Sequence, residues 1–382
     1  MSDAKFLPGS TIGVMGGGQL GRMFAIAARR MGYIVQVFTP EEETPAGQFA
    51  DLTRIAEYSN EAAVRRFANE VDVITFEFEN IPIQTVEWCA EDCVVRPAGS
   101  ILHIAQNRLR EKEFLTSAGI PIAPFRAVRN AYELANAVDQ IGRPAILKTA
   151  AFGYDGKGQQ MINARDDFEE IWKAGSADEL VLEGAIDFEK EVSVIIARGV
   201  DGKTATFPLC ENLHRNHILD ITVVPARVPE NVEGDAAKLA NTIAEKLELI
   251  GLLAVEMFLT KDSKLLVNEL APRPHNSGHW TIEGCTTSQF EQHVRAVCGL
   301  QLGSTEILRP AAMANLLGEV WQNGAPDWSN AFRSNGVHLH LYGKSEPRPR
   351  RKMGHLTALG KTPDDAFARV SEARLALQAA AK

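Results

Sequence analysis

Apolar runs bounded by glycine, proline and polar clusters recur along the chain, and their spacing alternates between a period of two and a period of about 3.6 residues. TIGVMG (11–16) reads as a buried strand, LGRMFAIAARRMG as an amphipathic helix and YIVQVF (33–38) as the next strand, which together make a βαβ opening. VDVITFEFENIP (71–82) is a further buried strand that ends in acids. ILHIAQNRLREKEFLTSAG then reads as one charged helix, stopped by Gly119 and the prolines of PIAPF. A boundary between a first α/β unit and a second therefore falls near residues 100–120.

In the second unit, RPAILKTAAFGYDGKGQQMI (143–162) is a strand carrying Lys148, a glycine-rich loop and a resumed strand. LVLEGAIDFEKEVSVIIARG (180–199) supplies a short strand around Val181 to Glu183 and a Val/Ile-rich strand with Glu191 at its start. His214 lies between two strand-like runs, and AAKLANTIAEKLELIG (236–251) is an amphipathic helix. GLLAVEMFLT (251–260) and KLLVNEL (264–270) flank the polar turn KDSK and predict a hairpin. With the turn centred between Asp262 and Ser263, Glu256 and Glu269 are directly opposed on one face of the ladder. After a helix in CTTSQFEQHVRAVCGL, the segment 301–382 predicts a small third module with the strand VHLHLYGK (337–344), the basic run PRPRRKMGHLTALG and a closing helix.

Composition adds bounds. With 382 residues, 45% hydrophobic and 23% charged, the chain is expected to be an ordinary globular protein of two or three domains. MSDAKFLPGS lacks an apolar leader core and no run approaches the ~18 uninterrupted apolar residues of a membrane span, so a cytoplasmic protein is expected. Five cysteines without a CxxC pair fit reduced, packed thiols, with Cys89 and Cys93 at helical spacing. A net charge of -9 argues against nonspecific binding to nucleic acid or an anionic membrane. It leaves room for an anionic small molecule, since RPRRK (348–352) is a local basic site and the Debye length is about 8 Å at physiological salt.

Six stretches carry candidate chemistry. Gly16, Gly18 and Gly21 satisfy G-x-G-x-x-G between strand and helix, which predicts backbone N–H groups presented to an anion. The second strand ends Phe38-Thr39-Pro40 without the acid that a dinucleotide ribose requires, so the loop is read as taking one phosphate, as of a sugar phosphate, with a nicotinamide or flavin cofactor as the alternative. Glu77 or Glu79, at a strand's carboxyl end, could meet a ribose or a purine-like ring. A strand lysine before a glycine flap, with no Lys-Ser/Thr helix after it, is a way of holding the polyphosphate of ATP that differs from the P-loop. Glu183 beside an apolar Ala-Ile run could bond an adenine edge through the backbone and ribose hydroxyls through its carboxylate. Two opposed carboxylates, Glu256 and Glu269, repel unless a cation lies between them, and oxygen-only ligation suits magnesium. Finally, Arg273, His275, Asn276, Ser277 and His279 crowd around Pro272 and Pro274, a composition poor for a core and unsuited to a regular helix.

Lys148, GYDGKG, Glu183, Glu191, Glu256 and NELAPRPHNSGHW, in this order, resemble the ATP-grasp superfamily. Together with GGGQLGRM at the start and KMGHLT near the end, they are similar to its 5-(carboxyamino)imidazole ribonucleotide synthetase (PurK) family. The resemblance implies an α/β (α+β) fold with a Rossmann-like domain over 1–110, an ATP-grasp domain with its flap over 111–300, and a small domain over 301–382. It implies an ATP site of Arg108, Lys148, Gly153, Tyr154, Asp155, Gly156, Lys157, Gly158, Gln159, Glu183, Gly184, Ala185, Ile186, Glu191, His214, Asn268 and Glu269, with magnesium on Glu256 and Glu269. The acceptor ribonucleotide would lie between Gly18, Gln19, Leu20, Glu77, Tyr154 and Asp155 on one side and Arg273, His275, Asn276, Ser277, Lys344 and Arg351 on the other. Catalytic roles fall to Lys148, Arg273, and His275 or Asp155. Ala271 stands where many superfamily members have a further metal-binding asparagine. The partners implied are ATP, bicarbonate, aminoimidazole ribonucleotide and a second copy of the chain. A formate-dependent glycinamide ribonucleotide transformylase, a nicotinamide-dependent oxidoreductase and a non-catalytic sugar-phosphate binder are the alternatives.

Overall fold

The computed structural model describes residues 4–151, 158–163, 168–174 and 179–379. The expected calls on Gly153, Tyr154, Asp155, Gly156 and Lys157 lie outside the described residues.

The first apolar runs form β1 (Thr11–Met15), α1 (Gln19–Arg30), β2 (Ile34–Thr39), β3 (Leu52–Ile55), α2 (Glu61–Asn69), β4 (Val73–Phe76), α3 (Ile83–Asp92) and β5 (Val94–Val95). The strands pair in parallel in the order β3-β2-β1-β4-β5. Ile12, Val14 and Val35 pack against Leu20 and Phe24 of α1 on one side, and Phe38, Ile74 and Phe76 against Phe67 and Val86 on the other. Covering both faces explains why these strands read as continuous apolar runs.

The single charged helix expected after residue 100 is two helices, α4 (Gly99–Ala105) and α5 (Arg108–Ser117). Asn107 is the cause. Its side chain accepts the N–H groups of Leu109 and Arg110 and restarts the helix as an N-cap. Cys89 belongs to α3, whereas Cys93 follows the helix end in extended backbone, so the two do not share a helical face.

Next come β6 (Phe125–Val128), α6 (Ala131–Ile141), β7 (Ala145–Thr149), β8 (Gln159–Ile162), α7 (Phe168–Ala174) and β9 (Leu180–Gly184). They make a four-stranded sheet ordered β6-β9-β7-β8, with Leu134 and Val138 of α6 packed on Leu147 and Leu182.

The rest of the chain builds one large sheet. Its elements are β10 (Phe188–Arg198), β11 (Thr204–Thr206), β12 (Cys210–Arg215), β13 (Ile218–Val224), α8 (Glu230–Lys246), β14 (Gly251–Thr260), β15 (Leu265–Ala271), α9 (Thr281–Gly284), α10 (Gln289–Val297), β16 (Ala311–Leu317), β17 (Val337–Leu341), β18 (Lys352–Leu359) and α11 (Pro363–Ala379). The order is β15-β14-β10-β12-β13-β16-β18-β17, with β11 on β10. The sheet therefore runs through residue 300: β16 pairs β13, and the C-terminal strands extend the same ladder rather than forming a sheet of their own. Val370 and Leu377 of α11 close the core over Leu316 and Leu356. Each such fully buried aliphatic side chain contributes about 1.5–3 kcal/mol. Among the described residues no helix is long and apolar enough to cross a membrane.

The hairpin of β14 and β15 places Glu256 opposite Glu269, as the count about the turn predicts. The route is different. Leu259 pairs Leu265 and Met257 pairs Val267, which centres the turn on Asp262; a bulge at Asn268 then shifts the register by one and brings the two glutamates level.

Candidate active site

Glu269 accepts a hydrogen bond from Arg108 Nη1 at 3.4 Å. Burial raises its pKa first, Arg108 opposes that, and the neighbouring carboxylate of Glu256 raises it again. An acid pair of this kind presents oxygen donors only, so magnesium, which keeps waters and shares its sites with phosphates, fits it. A third acid, Glu111, was not legible in the sequence, where REKEF reads as a solvated helix face. It is 1% exposed, accepts the N–H of Leu270 at 2.7 Å, and burial followed by the charge of Glu269 pushes its pKa up to about 8.

On the nucleotide side, β7 and β9 set Lys148 against Glu183. Lys148 Nζ donates to Glu183 Oε2 at 2.9 Å, and Lys112, also missed from the sequence, sits 3.2 Å from the same oxygen. Burial alone would raise Glu183, but Lys112 and Lys148 hold it below the usual carboxylate range. The carboxylate expected to be open to ribose hydroxyls is thus enclosed by two lysines. Oε1 is buried and accepts no hydrogen bond among the described residues. Glu191 instead bonds His214 Nδ1, and their strands are adjacent, with Glu191 paired to Asn212. Burial lowers the His214 pKa, but the Glu191 carboxylate outweighs it and raises the group overall. Gln159 pairs with Lys148 across β7 and β8, and Gly158 adopts φ +71°, where a Cβ would also meet Thr149 Oγ1 at 2.7 Å. The Gly184 and Ala185 N–H groups are already bonded to the carbonyls of Pro124 and Pro144.

The glycine loop holds a carboxylate of its own chain. Glu77 Oε1 accepts the N–H of Gly18 at 2.8 Å and Oε2 that of Gly21 at 3.1 Å. A Cβ on Gly18 would stand 2.5 Å from Glu77 Oε1, and one on Gly16 (φ +110°) 2.6 Å from Glu77 Cγ. The expected phosphate loop is thereby corrected: Glu77, next after β4, occupies the helix N-terminus that the motif predicts for an anion. Leu20 is 7% exposed and packs in the core, while Gln19 begins α1.

The polar corner meets this loop. Arg273 grips Glu79 with Nε and Nη2, the latter at 2.7 Å, and donates from Nη1 to the carbonyl of Pro274 at 3.1 Å. Burial would depress its pKa, yet Glu79, Glu269 and Glu77 raise it and keep it charged. With the Glu79 fork closed, one N–H of Nη1 and one of Nη2 are left over from these three bonds for a further anion. His275 Nε2 lies 3.1 Å from Glu256 Oε1 and Nδ1 lies 2.9 Å from Ser277 Oγ. Both polar atoms of the Asn276 side chain are buried without a hydrogen-bond partner among the described residues. Lys344 donates to the carbonyl of Lys352 at 2.8 Å and feels the charges of Arg351 and Glu77. Burial, then Arg351, lowers its pKa to about 8.

A lysine-bearing strand followed in sequence by a glycine-rich run, together with a carboxylate hairpin, marks an ATP-grasp ligase. Family models agree: the ribonucleotide synthetase preATP-grasp domain matches 9–106, the ATP-grasp domain 113–290 and the phosphoribosylaminoimidazole carboxylase C-terminal domain 311–369. The chain is 46% identical over 365 residues to the N5-carboxyaminoimidazole ribonucleotide synthase of Bacillus subtilis, covering 96% of this chain and 95% of that one. It also matches, at 46% identity over 372 residues, a bifunctional purine synthesis protein of Dictyostelium discoideum, of whose length it spans 37%. A solved ADP complex of an N5-carboxyaminoimidazole ribonucleotide synthetase superposes with a TM-score of 0.93 at 43% identity, covering 99% of this chain and 100% of that chain. The Aspergillus clavatus enzyme, solved with ADP and 5-aminoimidazole ribonucleotide, gives 0.89 at 32% identity, covering 97% and 99%. The chain belongs to the N5-carboxyaminoimidazole ribonucleotide synthase (PurK) family.

Proposed function

We infer that this ATP-dependent ligase carboxylates 5-aminoimidazole ribonucleotide with bicarbonate, giving 5-(carboxyamino)imidazole ribonucleotide, ADP and phosphate in purine biosynthesis. The observation that carries the reading is the double engagement of one short run. Glu269 bonds Arg108 on the nucleotide side, and Arg273, a corner further on, bonds Glu79 beside the glycine loop. ATP and the ribonucleotide are thus brought to opposite sides of residues 265–280.

Bicarbonate is a poor electrophile. A bicarbonate oxygen takes the γ-phosphoryl group of ATP, forming carboxyphosphate and ADP; positioning and electrostatics dominate such a transfer. Lys148, held by Glu183 and backed by Lys112, supplies fixed positive charge to the phosphates. Glu256 and Glu269 would hold magnesium, which would supply positive charge to the transferring group. The exocyclic amine then takes the carboxyl carbon, directly or as released carbon dioxide; phosphate leaves and the amine loses a proton. Asn276, whose buried amide has no hydrogen-bond partner among the described residues, and the Nη1 edge of Arg273 suit the carboxyl intermediate, since buried polar atoms take a partner when one is present. Glu77, Lys344 and Arg351 take the ribonucleotide, the carboxylate suiting ribose hydroxyls and the two cations its phosphate. An adenine edge is left to the carbonyls of 183–186 and to Ile186. Glu191 and His214 suit the nucleotide ribose, and Asn268 and Gln159 flank its phosphates.

The divisions at 110 and 300, a cytoplasmic location and a homodimer belong to the same reading. The experiment is phosphate release measured with each component omitted in turn. Release should require ATP, bicarbonate and the aminoimidazole nucleotide together. Turnover with formate and glycinamide ribonucleotide, or reduction of a nicotinamide, would replace the reading with one of its rivals.

A further inference from the structure

A file of buried polar side chains leads from the middle of the large sheet to His275. The Thr222 hydroxyl donates to Asn212 Oδ1 at 3.0 Å, Asn212 Nδ2 donates to Ser193 Oγ at 2.9 Å, and Ser193 donates to Ser277 Oγ at 2.8 Å. Ser277 Oγ lies 2.9 Å from His275 Nδ1, and the Ser277 backbone N–H donates to the same nitrogen at 3.3 Å. Ser193, Thr222 and Ser277 are fully buried and Asn212 is 6% exposed. Polar groups in such a position cost stability relative to apolar ones unless every bond is made.

The direction of these bonds is informative. A backbone N–H cannot accept, so Nδ1 of His275 carries its lone pair and the ring hydrogen is on Nε2, facing Glu256 Oε1 at 3.1 Å. The Asn212 amide donates to Ser193, which leaves the Ser193 hydrogen for Ser277 and the Ser277 hydrogen for the ring. Gln289, also fully buried, fixes the backbone: its Oε1 accepts the His275 N–H at 2.9 Å and its Nε2 donates to the His275 carbonyl at 2.8 Å.

We propose that Ser193, Asn212 and Thr222 are positioning residues that hold His275 as an Nε2–H hydrogen-bond donor. The ring then donates to oxygen in the carboxylation site and is not the acceptor of the amine proton. The proposal rests on the carboxylation reading for its rate effect but not for its ring geometry.

The test uses the full-length enzyme. Imidazole 15N NMR without substrates, with the His275 signals identified by their loss in His275→Gln, should show Nδ1 bare and Nε2 protonated. Asn212→Asp keeps the shape but cannot donate to Ser193, and should shift His275 toward the other tautomer. At saturating substrates kcat should fall by about tenfold, with the KM for ATP unchanged. Thr222→Val should act in the same direction and Thr222→Ser should restore the wild-type rate and spectrum, which covers the case of an Asn212 variant that does not fold. A wild-type His275 protonated on Nδ1, an unchanged tautomer in both Asn212→Asp and Thr222→Val, or equal rates in Thr222→Val and Thr222→Ser would overturn the proposal. A wild type with the expected ring signals but no bicarbonate-dependent turnover would instead remove the functional reading.

Discussion

Glu79 holds Arg273 by the whole fork of its guanidinium: Nη2 donates to Oε1 at 2.7 Å while Nε donates to Oε2. The pair aligns the arginine across the seam between the first sheet and the large one. Arg273→Lys keeps the charge but loses the planar fork, so kcat should fall by about a hundredfold with little change in fold. Glu79→Ala leaves a largely buried cation with one partner fewer and should lower stability by about 2 kcal/mol in urea titrations. Wild-type turnover in Arg273→Lys would remove the arginine from the site's working parts.

Lys112, Lys148 and Glu183 form a buried charge cluster in which neither lysine has another carboxylate at ion-pair distance among the described residues. Glu183→Ala should therefore destabilise by about 3–5 kcal/mol and abolish ATP binding, because two cations are left in one apolar setting. Lys112→Met should cost less stability and weaken ATP without abolishing it, since Lys148 still pairs. Unfolding curves and nucleotide titration calorimetry separate the two, and equal behaviour of the variants would contradict the shared-carboxylate account.

The loop at Gly18 predicts a selective loss. A Cβ there would stand 2.5 Å from the Glu77 carboxylate, so Gly18→Ala displaces that group or the loop. Binding of the aminoimidazole nucleotide should weaken by at least about tenfold, roughly 1.4 kcal/mol, while ATP affinity stays at its wild-type value. A matching loss of both would mean that the variant damages the fold rather than the acceptor side.

How much of this was legible in the sequence differs from residue to residue. The hairpin count brought Glu256 and Glu269 together correctly, though it did so because the bulge at Asn268 cancels an offset in the turn that no pattern reveals. The glycines at 16 and 18 were read as a loop presenting backbone N–H groups to an anion, but the anion they meet is Glu77, more than fifty residues on in the chain. Sequence shows that backbone amides are available and not what already fills them. Glu111 and Lys112 were hidden for a related reason: in a charged helix nothing local marks which charges tertiary packing will bury. Asn107 was read inside one continuous charged helix, where its capping of a second helix does not show in the run of charges.

Lys344 gives a pH signature. Burial and Arg351 lower its pKa to about 8, against the pull of Glu77 and Glu41. A bound phosphate favours the charged form, so affinity for the ribonucleotide is full below pH 8 and declines above it, with proton uptake on binding in that range. Lys344→Arg, always charged, should flatten the decline. The check is the pH dependence of the nucleotide KM, and parallel profiles for the two proteins would rule Lys344 out as its source.

The most direct test of the central claim follows oxygen from bicarbonate. With ATP, 5-aminoimidazole ribonucleotide and 18O-labelled bicarbonate, the isotope shift in the 31P spectrum should show one labelled oxygen in the phosphate released per turnover, with product carboxylation in equal amount. Phosphate that forms without the label, or forms at the same rate when bicarbonate is removed, would contradict carboxylation through carboxyphosphate.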